Sequence, residues 1–246
     1  MADPRHCPAL RAGAATSVAG VVDRLTEIRD GTATIDPEGG IAQFSDLYRT
    51  ITQNVEAKIE AGGFFDDDEF LGRLVTAFAN RYFDALRAWA DRGGTLPGAW
   101  RMLFEVPSNG EITAVQLAAA GVNAHINLDL AVALVDTGRE RGDPALETGT
   151  HRTDYEKVNQ VFAEEMDGLL RRLMDQRAES GEETEHLSVF GRIMTRVVTT
   201  ARHFAWEDAE CLWPLPRRSD EWAEKEHHMD AVACRLGHGI LIDVLG

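Results

Sequence analysis

The sequence predicts an all-α protein, a single-domain bundle of seven or eight helices with a buried central helix. Apolar residues recur at three- and four-residue steps in several long segments, as they do along one face of a helix. The segment 112–135 is apolar nearly all round, which is typical of a helix at the centre of a bundle. No segment has a convincing hairpin pattern, and no repeat or composition break divides the chain into two domains.

Composition indicates the class of partner. The 246 residues have a net charge of −16, and the acidic field of such a chain repels phosphate backbones and anionic lipid surfaces. We therefore expect a small-molecule substrate, with neither nucleic acid nor a membrane as partner, while the assembly state, including a homodimer, stays open. Three cysteines without C-x-x-C spacing favour a reducing, cytoplasmic location.

The sequence predicts a flexible N-terminal tail, residues 1–15, followed by one helical domain, residues 16–246. A short helix is expected over 17–29, and glycines mark a connection over 30–40. The next helix has an apolar stripe from Phe44 to Ile59. Asp66 is the predicted N-cap of the helix after it, because further acids follow in the first turn.

The C-terminal half follows the same pattern. A short helix over 97–104 precedes the central helix, and a loop is predicted over 138–150. Thr153 and Glu156 form an S/T-x-x-E capping-box pattern that opens a helix extending through Leu173. A polar connection over 177–185, a helix over 187–212 and a last helix from residue 219 complete the chain.

The central helix carries a cluster of four polar side chains among Val, Ile, Leu and Ala: Asn123, His125, Asn127 and Asp129. Each would cost about 1–3 kcal/mol if buried without a partner, so all four need partners or a ligand. At about 100° per residue, Asn123 and Asn127 share one side of a helix. His125 and Asp129 share the roughly opposite side, so the segment faces two environments.

The spacing of His125 and Asp129 leaves three interpretations open. One helix can supply two metal ligands at i and i+4, as in H-E-x-x-H sites. The same spacing suits a histidine general base that a carboxylate holds and polarises. Alternatively, the pair is a buried hydrogen bond that only stabilises the core.

The segment from Gly121 to Leu130 resembles the G-x-N-A-H-I-N-H-D-L signature of an uncharacterised, mainly actinobacterial family of unknown function. Weaker similarities extend over residues 20–215. The resemblance implies a site and not a reaction, and a role in small-molecule biosynthesis would suit such a source. Carried over by position, its candidate residues are His125, Asn127, Asp129, Asp154, Asn159, Arg202 and Trp206.

Two details of the resemblance affect the chemistry. The family has histidine where this chain has Leu128, so a mechanism that needs that imidazole is in doubt. Arg202 is the expected counter-ion for Asp129 or for an anionic substrate, unless it is only a surface arginine. Asp154 lies at a helix start, where an acid is favoured for structural reasons.

His203 and Glu207 repeat the i, i+4 spacing on a second helix. Together with His125 and Asp129, they could hold one divalent metal ion, Zn, Fe or Mn. Glu207 also belongs to an acidic run that is more simply a solvated helix face.

These observations predict an enzyme that acts on a small molecule in an interhelical pocket, with metal-assisted hydrolysis centred on His125 and Asp129. The alternatives are a cofactor-free isomerase, lyase or cyclase that uses the pair as acid and base, and a non-enzymatic small-molecule-binding protein. In the enzyme, Asn127 would position substrate and Arg202 would balance charge. The expected substrate-binding residues are Asn123, Tyr48, Asn159 and Trp206.

Overall fold

A computed structural model describes the backbone of residues 3–107, 111–180 and 185–242, and the side chains of 3–107, 111–165 and 195–242. Within these ranges the predicted all-α fold is confirmed, with eight helices and no strand. The helices are α1 (Val18–Ala33), α2 (Gly40–Ala61), α3 (Asp68–Asp91), α4 (Gly98–Phe104), α5 (Ala114–Arg141), α6 (His151–Ser180), α7 (Glu185–Leu212) and α8 (Asp220–Leu241).

The central helix is α5, as its apolar composition predicts. It contacts α2, α3, α4, α7 and α8, so its neighbours surround it. By length and composition α5 could cross a membrane, but 78% of its most apolar window is buried inside the bundle, as in the core helix of a globular fold.

The middle of α5 differs from the regular α-helix that the sequence predicts. His125–Leu130 forms a π-helical turn between two α-helical halves. Such turns occur mostly as single turns within α-helices, frequently at functional sites. The polar cluster therefore begins immediately before a local widening of the helix and continues through it.

Two helix starts lie close to the predicted positions. The N-cap of α3 is Asp67, whose carboxylate accepts from the Phe70 backbone N–H at 2.8 Å, whereas Asp66 binds Lys157 at 2.7 Å. Ser17 caps α1, which runs four residues beyond the predicted end at residue 29. The local sequence thus predicts these helices, and their observed ends differ from the predicted ends by one to a few residues.

The start of α6 corrects the predicted capping box. The helix begins at His151, two residues before Thr153, and Glu156 binds Arg152 at 2.6 Å instead of closing a box. The helix continues to Ser180, so the first part of the predicted connection over 177–185 is helical. Residues 181–184 lie outside the described backbone. The predicted apolar face of α6 beyond residue 165 lies outside the described side chains.

The N-terminal segment is packed, in contrast to the flexible tail that the sequence predicts for residues 1–15. Cys7 and Leu10 are buried in the core. Arg11 donates to the Asp91 carboxylate at 2.7 Å, and Asn80 bonds both backbone groups of Ala15 at 2.8 and 2.9 Å. Long-range partners on α3 thus order residues whose own sequence has no periodicity.

The packing of α5 against α2 predicts the effect of Gly121→Ala. A Cβ atom at Gly121 would overlap the Phe44 ring, so the helices must separate or the ring must move. We expect a loss of about 1–3 kcal/mol in the free energy of unfolding, measured by urea denaturation. The matched control is Gly72→Ala in α3, where the added Cβ would meet only Val18 at 3.7 Å. That variant should be neutral or slightly more stable, since alanine favours the helix.

Candidate functional site

The Asp129 carboxylate is the centre of the candidate site. It is 2% exposed and accepts three side-chain hydrogen bonds. Arg81 Nε donates to Oδ1 at 2.9 Å, while Trp100 Nε1 and His125 Nδ1 each approach Oδ2 at 3.0 Å. These donors come from α3, α4 and α5, so one carboxylate joins three helices.

Asp129 is ionised in this environment. Burial by itself would raise the pKa of its carboxyl, but the Arg81 guanidinium and the His125 hydrogen bond outweigh it and hold the pKa below its usual range. Arg81 also binds Glu226 of α8 at 3.4 Å, which links the buried carboxylate to the edge of the bundle.

His125 is held in one protonation state. Burial lowers the pKa of its imidazole, and the nearby Arg81 charge adds to this, although Asp129 acts in the opposite direction. The neutral ring donates its Nδ1 hydrogen to the acceptor-only carboxylate of Asp129, which leaves a lone pair on Nε2. Phe78 stacks on the imidazole with ring centroids 3.5 Å apart and an interplanar angle of 6°.

The Nε2 atom of His125 is buried and has no hydrogen-bond partner among the described residues. His125 lies in the wall of a cavity of about 90 Å³ between α2, α3, α5, α6 and α7. This is room for several waters or a small organic molecule. The apolar part of the wall consists of Phe44, Leu47, Ile51, Val55, Leu71, Leu74, Val75, Phe78, Val122, Ile126, Leu130, Val158, Phe162 and Val198.

Tyr48 is the second unpartnered polar group of this wall. Its ring centroid lies 4.8 Å from that of His125, and its buried hydroxyl has no partner in the described part of the chain. Burial raises the pKa of the Tyr48 phenol well above its usual value, and the Asp129 charge adds to the effect. The hydroxyl therefore stays protonated and can donate a hydrogen bond. Tyr48 thus lies in the cavity wall, and its contact with a substrate stays a prediction.

Arg202 also lies in the cavity wall, but it is not the counter-ion of Asp129. The predicted pairing with Asp129 was wrong, because Arg81 takes this role from α3, whereas the alternative of an anionic substrate stays a prediction. Arg202 instead donates to Asn159 Oδ1 at 2.8 Å and to the Tyr155 carbonyl at 2.6 Å. Burial lowers its pKa, yet a guanidinium remains protonated at neutral pH.

The two asparagines of α5 lie on the side away from the cavity. Asn123 donates to the Ala233 carbonyl of α8 at 2.7 Å, and Asn127 donates to Asn123 Oδ1 at 3.0 Å. Neither lines the cavity. They form a structural link between α5 and α8, so their contacts with substrate stay a prediction, while the expected separation of the two pairs is observed.

Three further candidates serve the fold around the site. Asn159 holds Arg202, and Trp206 is fully buried against Tyr155 with its indole N–H donating to Glu210 at 2.9 Å. Asp154 accepts the backbone N–H groups of residues 66 and 67, both at 2.8 Å, and so joins α6 to the start of α3. None of the three lines the cavity.

The predicted four-residue metal site is not assembled. His203 and Glu207 pair with each other at 3.3 Å on the surface, with side chains 55% and 52% exposed, whereas His125 and Asp129 are buried. The donors at Asp129 already occupy both of its oxygens. Within the described side chains, no group of three or more His, Cys, Asp or Glu residues has the spacing to hold a metal ion.

Sequence reasoning missed the residues that position the His–Asp pair. Arg81 follows Phe78 by three residues and Leu74 by seven, so it lies on the buried face of α3. A charged residue in that position signals a buried partner. Trp100 carries no such signal, since a tryptophan in a short helix is ordinarily explained by the core.

Removing the Asp129 charge should destabilise the fold. In Asp129→Asn, Arg81 loses its buried partner, and we expect the free energy of unfolding to fall by about 3 kcal/mol. The control is Asp136→Asn, because Asp136 pairs with Arg217 at 3.1 Å in a partly exposed position. Urea denaturation should show less than about 1 kcal/mol for that variant. Equal losses in both would contradict the central role of Asp129.

The lowered pKa of His125 predicts a pH dependence of stability. Below about pH 6.5 the unfolded chain binds a proton at this histidine that the folded chain resists, so stability falls as the pH drops. Unfolding curves of His125→Gln should have a flatter pH dependence between about pH 6.5 and 5 than those of the wild type. His203→Gln, which removes an exposed histidine, should keep the wild-type slope; a parallel slope in His125→Gln would refute the assignment.

Comparison with known proteins identifies the family of the chain. No curated protein and no solved structure matched it. The family described as "Family of unknown function (DUF5995)" matches residues 18–242, which include every helix and every residue of the candidate site. The chain therefore belongs to the DUF5995 family of unknown function.

Proposed function

We propose that the protein is a cofactor-independent proton-transfer enzyme that enolises a small, apolar carbonyl compound in the cavity beside His125. The observation that carries this proposal is the unpartnered Nε2 lone pair of the buried His125–Asp129 pair, in the wall of an apolar cavity. A base that is desolvated, neutral and held in one tautomer is suited to remove a proton from carbon.

The chemistry uses two groups of the wall. His125 Nε2 takes a proton from the carbon next to the carbonyl, and the C–H electrons form the enolate double bond. The Tyr48 hydroxyl donates a hydrogen bond to the carbonyl oxygen as negative charge develops there. Return of the proton to another carbon gives an isomerase, and loss of a β-substituent gives a lyase.

Asp129 and Arg81 support the step without touching the substrate. The Asp129 carboxylate keeps the Nδ1 hydrogen in place and stabilises the imidazolium that forms when Nε2 accepts a proton. Arg81 and Trp100 fix the carboxylate in return. The Nε2 lone pair of His125 therefore points in a defined direction, and the Asp129 carboxylate balances the positive charge that forms on the imidazole.

Metal-assisted hydrolysis has less support from the same residues. In the cavity wall a metal would find His125 Nε2 and the protonated Tyr48 hydroxyl, because the Asp129 oxygens lie at the Nδ1 side of the ring and already accept hydrogen bonds from Arg81, Trp100 and His125. Divalent Zn, Fe or Mn in proteins takes several ligands. The other candidate function is non-enzymatic binding of a small apolar molecule, which the largely apolar wall of the cavity favours.

Hydrogen–deuterium exchange at the α-carbons of cyclohexanone tests the proposal. This probe is small, apolar and carries one carbonyl, and exchange in D₂O is followed by proton NMR. We expect wild-type protein to accelerate exchange, and His125→Gln to lower the accelerated rate by about 100-fold or more. Tyr48→Phe should lower it by about 10- to 100-fold, as expected for loss of one donor to the oxyanion.

The matched control is His203→Gln, which removes a histidine from the surface and should leave the exchange rate unchanged. The rate should rise with pH to a plateau, and the midpoint of that rise should lie below about pH 6.5, because burial lowers the pKa of His125. Cyclohexanone that binds without accelerated exchange would favour the binding protein. Exchange that is equal in wild type and His125→Gln would overturn the enzymatic proposal.

A further inference from the structure

Arg202 brings a positive charge into the wall of the same cavity. The residue is 7% exposed, and no carboxylate of the described residues lies within ion-pair distance of its guanidinium. The charge of Glu156 raises the pKa of Arg202, but that side chain is 55% exposed and binds Arg152. A buried cation without an anion is costly, which makes its position informative.

The protein holds this guanidinium in place with neutral groups. Asn159 and the Tyr155 carbonyl accept two of its five N–H donors, and its carbon centre lies 4.1 Å from the centroid of the Tyr155 ring. Within the described residues these two bonds use Nε and one of the two terminal nitrogens. The arrangement fixes the direction of the cation and leaves donors for an anion.

We infer that the substrate is a small, largely apolar carboxylic acid that also carries the carbonyl group of the proposed reaction, bound with its carboxylate at Arg202 and its apolar body along the cavity toward His125. The inference builds on the proposed function, since it names the substrate class of the same cavity. A carboxylate matches the planar fork of one guanidinium and its single charge. A phosphate would bring a further negative charge, and the described cavity wall contains one cation and otherwise neutral groups.

Hexanoate and hexan-1-ol test this assignment, because they share an apolar chain and differ in the charged end. By isothermal titration calorimetry at neutral pH, wild-type protein should bind hexanoate at least tenfold more tightly than hexan-1-ol. Arg202→Met should lose the preference, and the matched control Arg196→Met, at an exposed position of the same helix, should retain it. Equal binding of the two probes, or no binding of hexanoate, to the wild type overturns the inference.

A second measurement needs no variant and so does not depend on how Arg202→Met folds. The carbon-13 NMR shift of [1-¹³C]hexanoate, followed against pH in the complex, reports the pKa of the bound acid. Pairing with Arg202 lowers that pKa below its value in free solution, whereas an apolar cavity without a usable cation raises it. A raised pKa contradicts the inference.

The two proposals fail separately in these experiments. His125→Gln should keep the tenfold preference for hexanoate while it loses the exchange activity toward cyclohexanone. A wild type that prefers hexanoate but does not accelerate exchange refutes proton transfer and leaves the substrate class standing. Accelerated exchange without a preference for hexanoate refutes the carboxylic-acid substrate and leaves proton transfer standing.

Discussion

The buried Asp129 carboxylate is the constraint on which the rest of the site depends. Taking a charged carboxylate out of water costs several kcal/mol, and only well-placed donors offset that cost. Arg81, Trp100 and His125 provide them from three helices, so one group links α3, α4 and α5. The same contact sets the tautomer of His125. The interaction of Asp129 with these donors therefore stabilises the fold and also sets the direction of the His125 Nε2 lone pair.

The spacing of the polar residues explains how one helix serves two purposes. Asn123 and Asn127 bind each other and α8, while His125 and Asp129 turn toward α3 and α4. An offset of two residues, about 200° around a helix, separates the two pairs. The π-helical turn at 125–130 widens the central helix at this point without breaking it. The structural link and the His125–Asp129 pair can thus lie within a few residues of each other, although they face opposite sides of α5.

Much of the fold follows from local sequence, and the site follows only in part. Apolar periodicity predicts the helices and marks α5 as central, because burial all round leaves a clear pattern. The His125–Asp129 pair is also predictable, since both residues lie on one helix four positions apart. Their partner Arg81 is 48 residues from Asp129, and no local pattern encodes that distance. The packed N-terminal segment escapes prediction for the same reason, because its order depends on Asn80 and Asp91.

In the proposed reaction, burial in one cavity keeps the base neutral and the hydrogen-bond donor protonated at the same pH. It lowers the pKa of His125, which favours the neutral imidazole, and it raises the pKa of Tyr48, which favours the protonated phenol. Water would keep both groups nearer their ordinary values, where the imidazole would be partly protonated. In the proposed reaction, both groups are therefore in the protonation state that enolisation requires at neutral pH. The apolar wall would then contribute to that reaction as well as to the binding of the proposed apolar substrate.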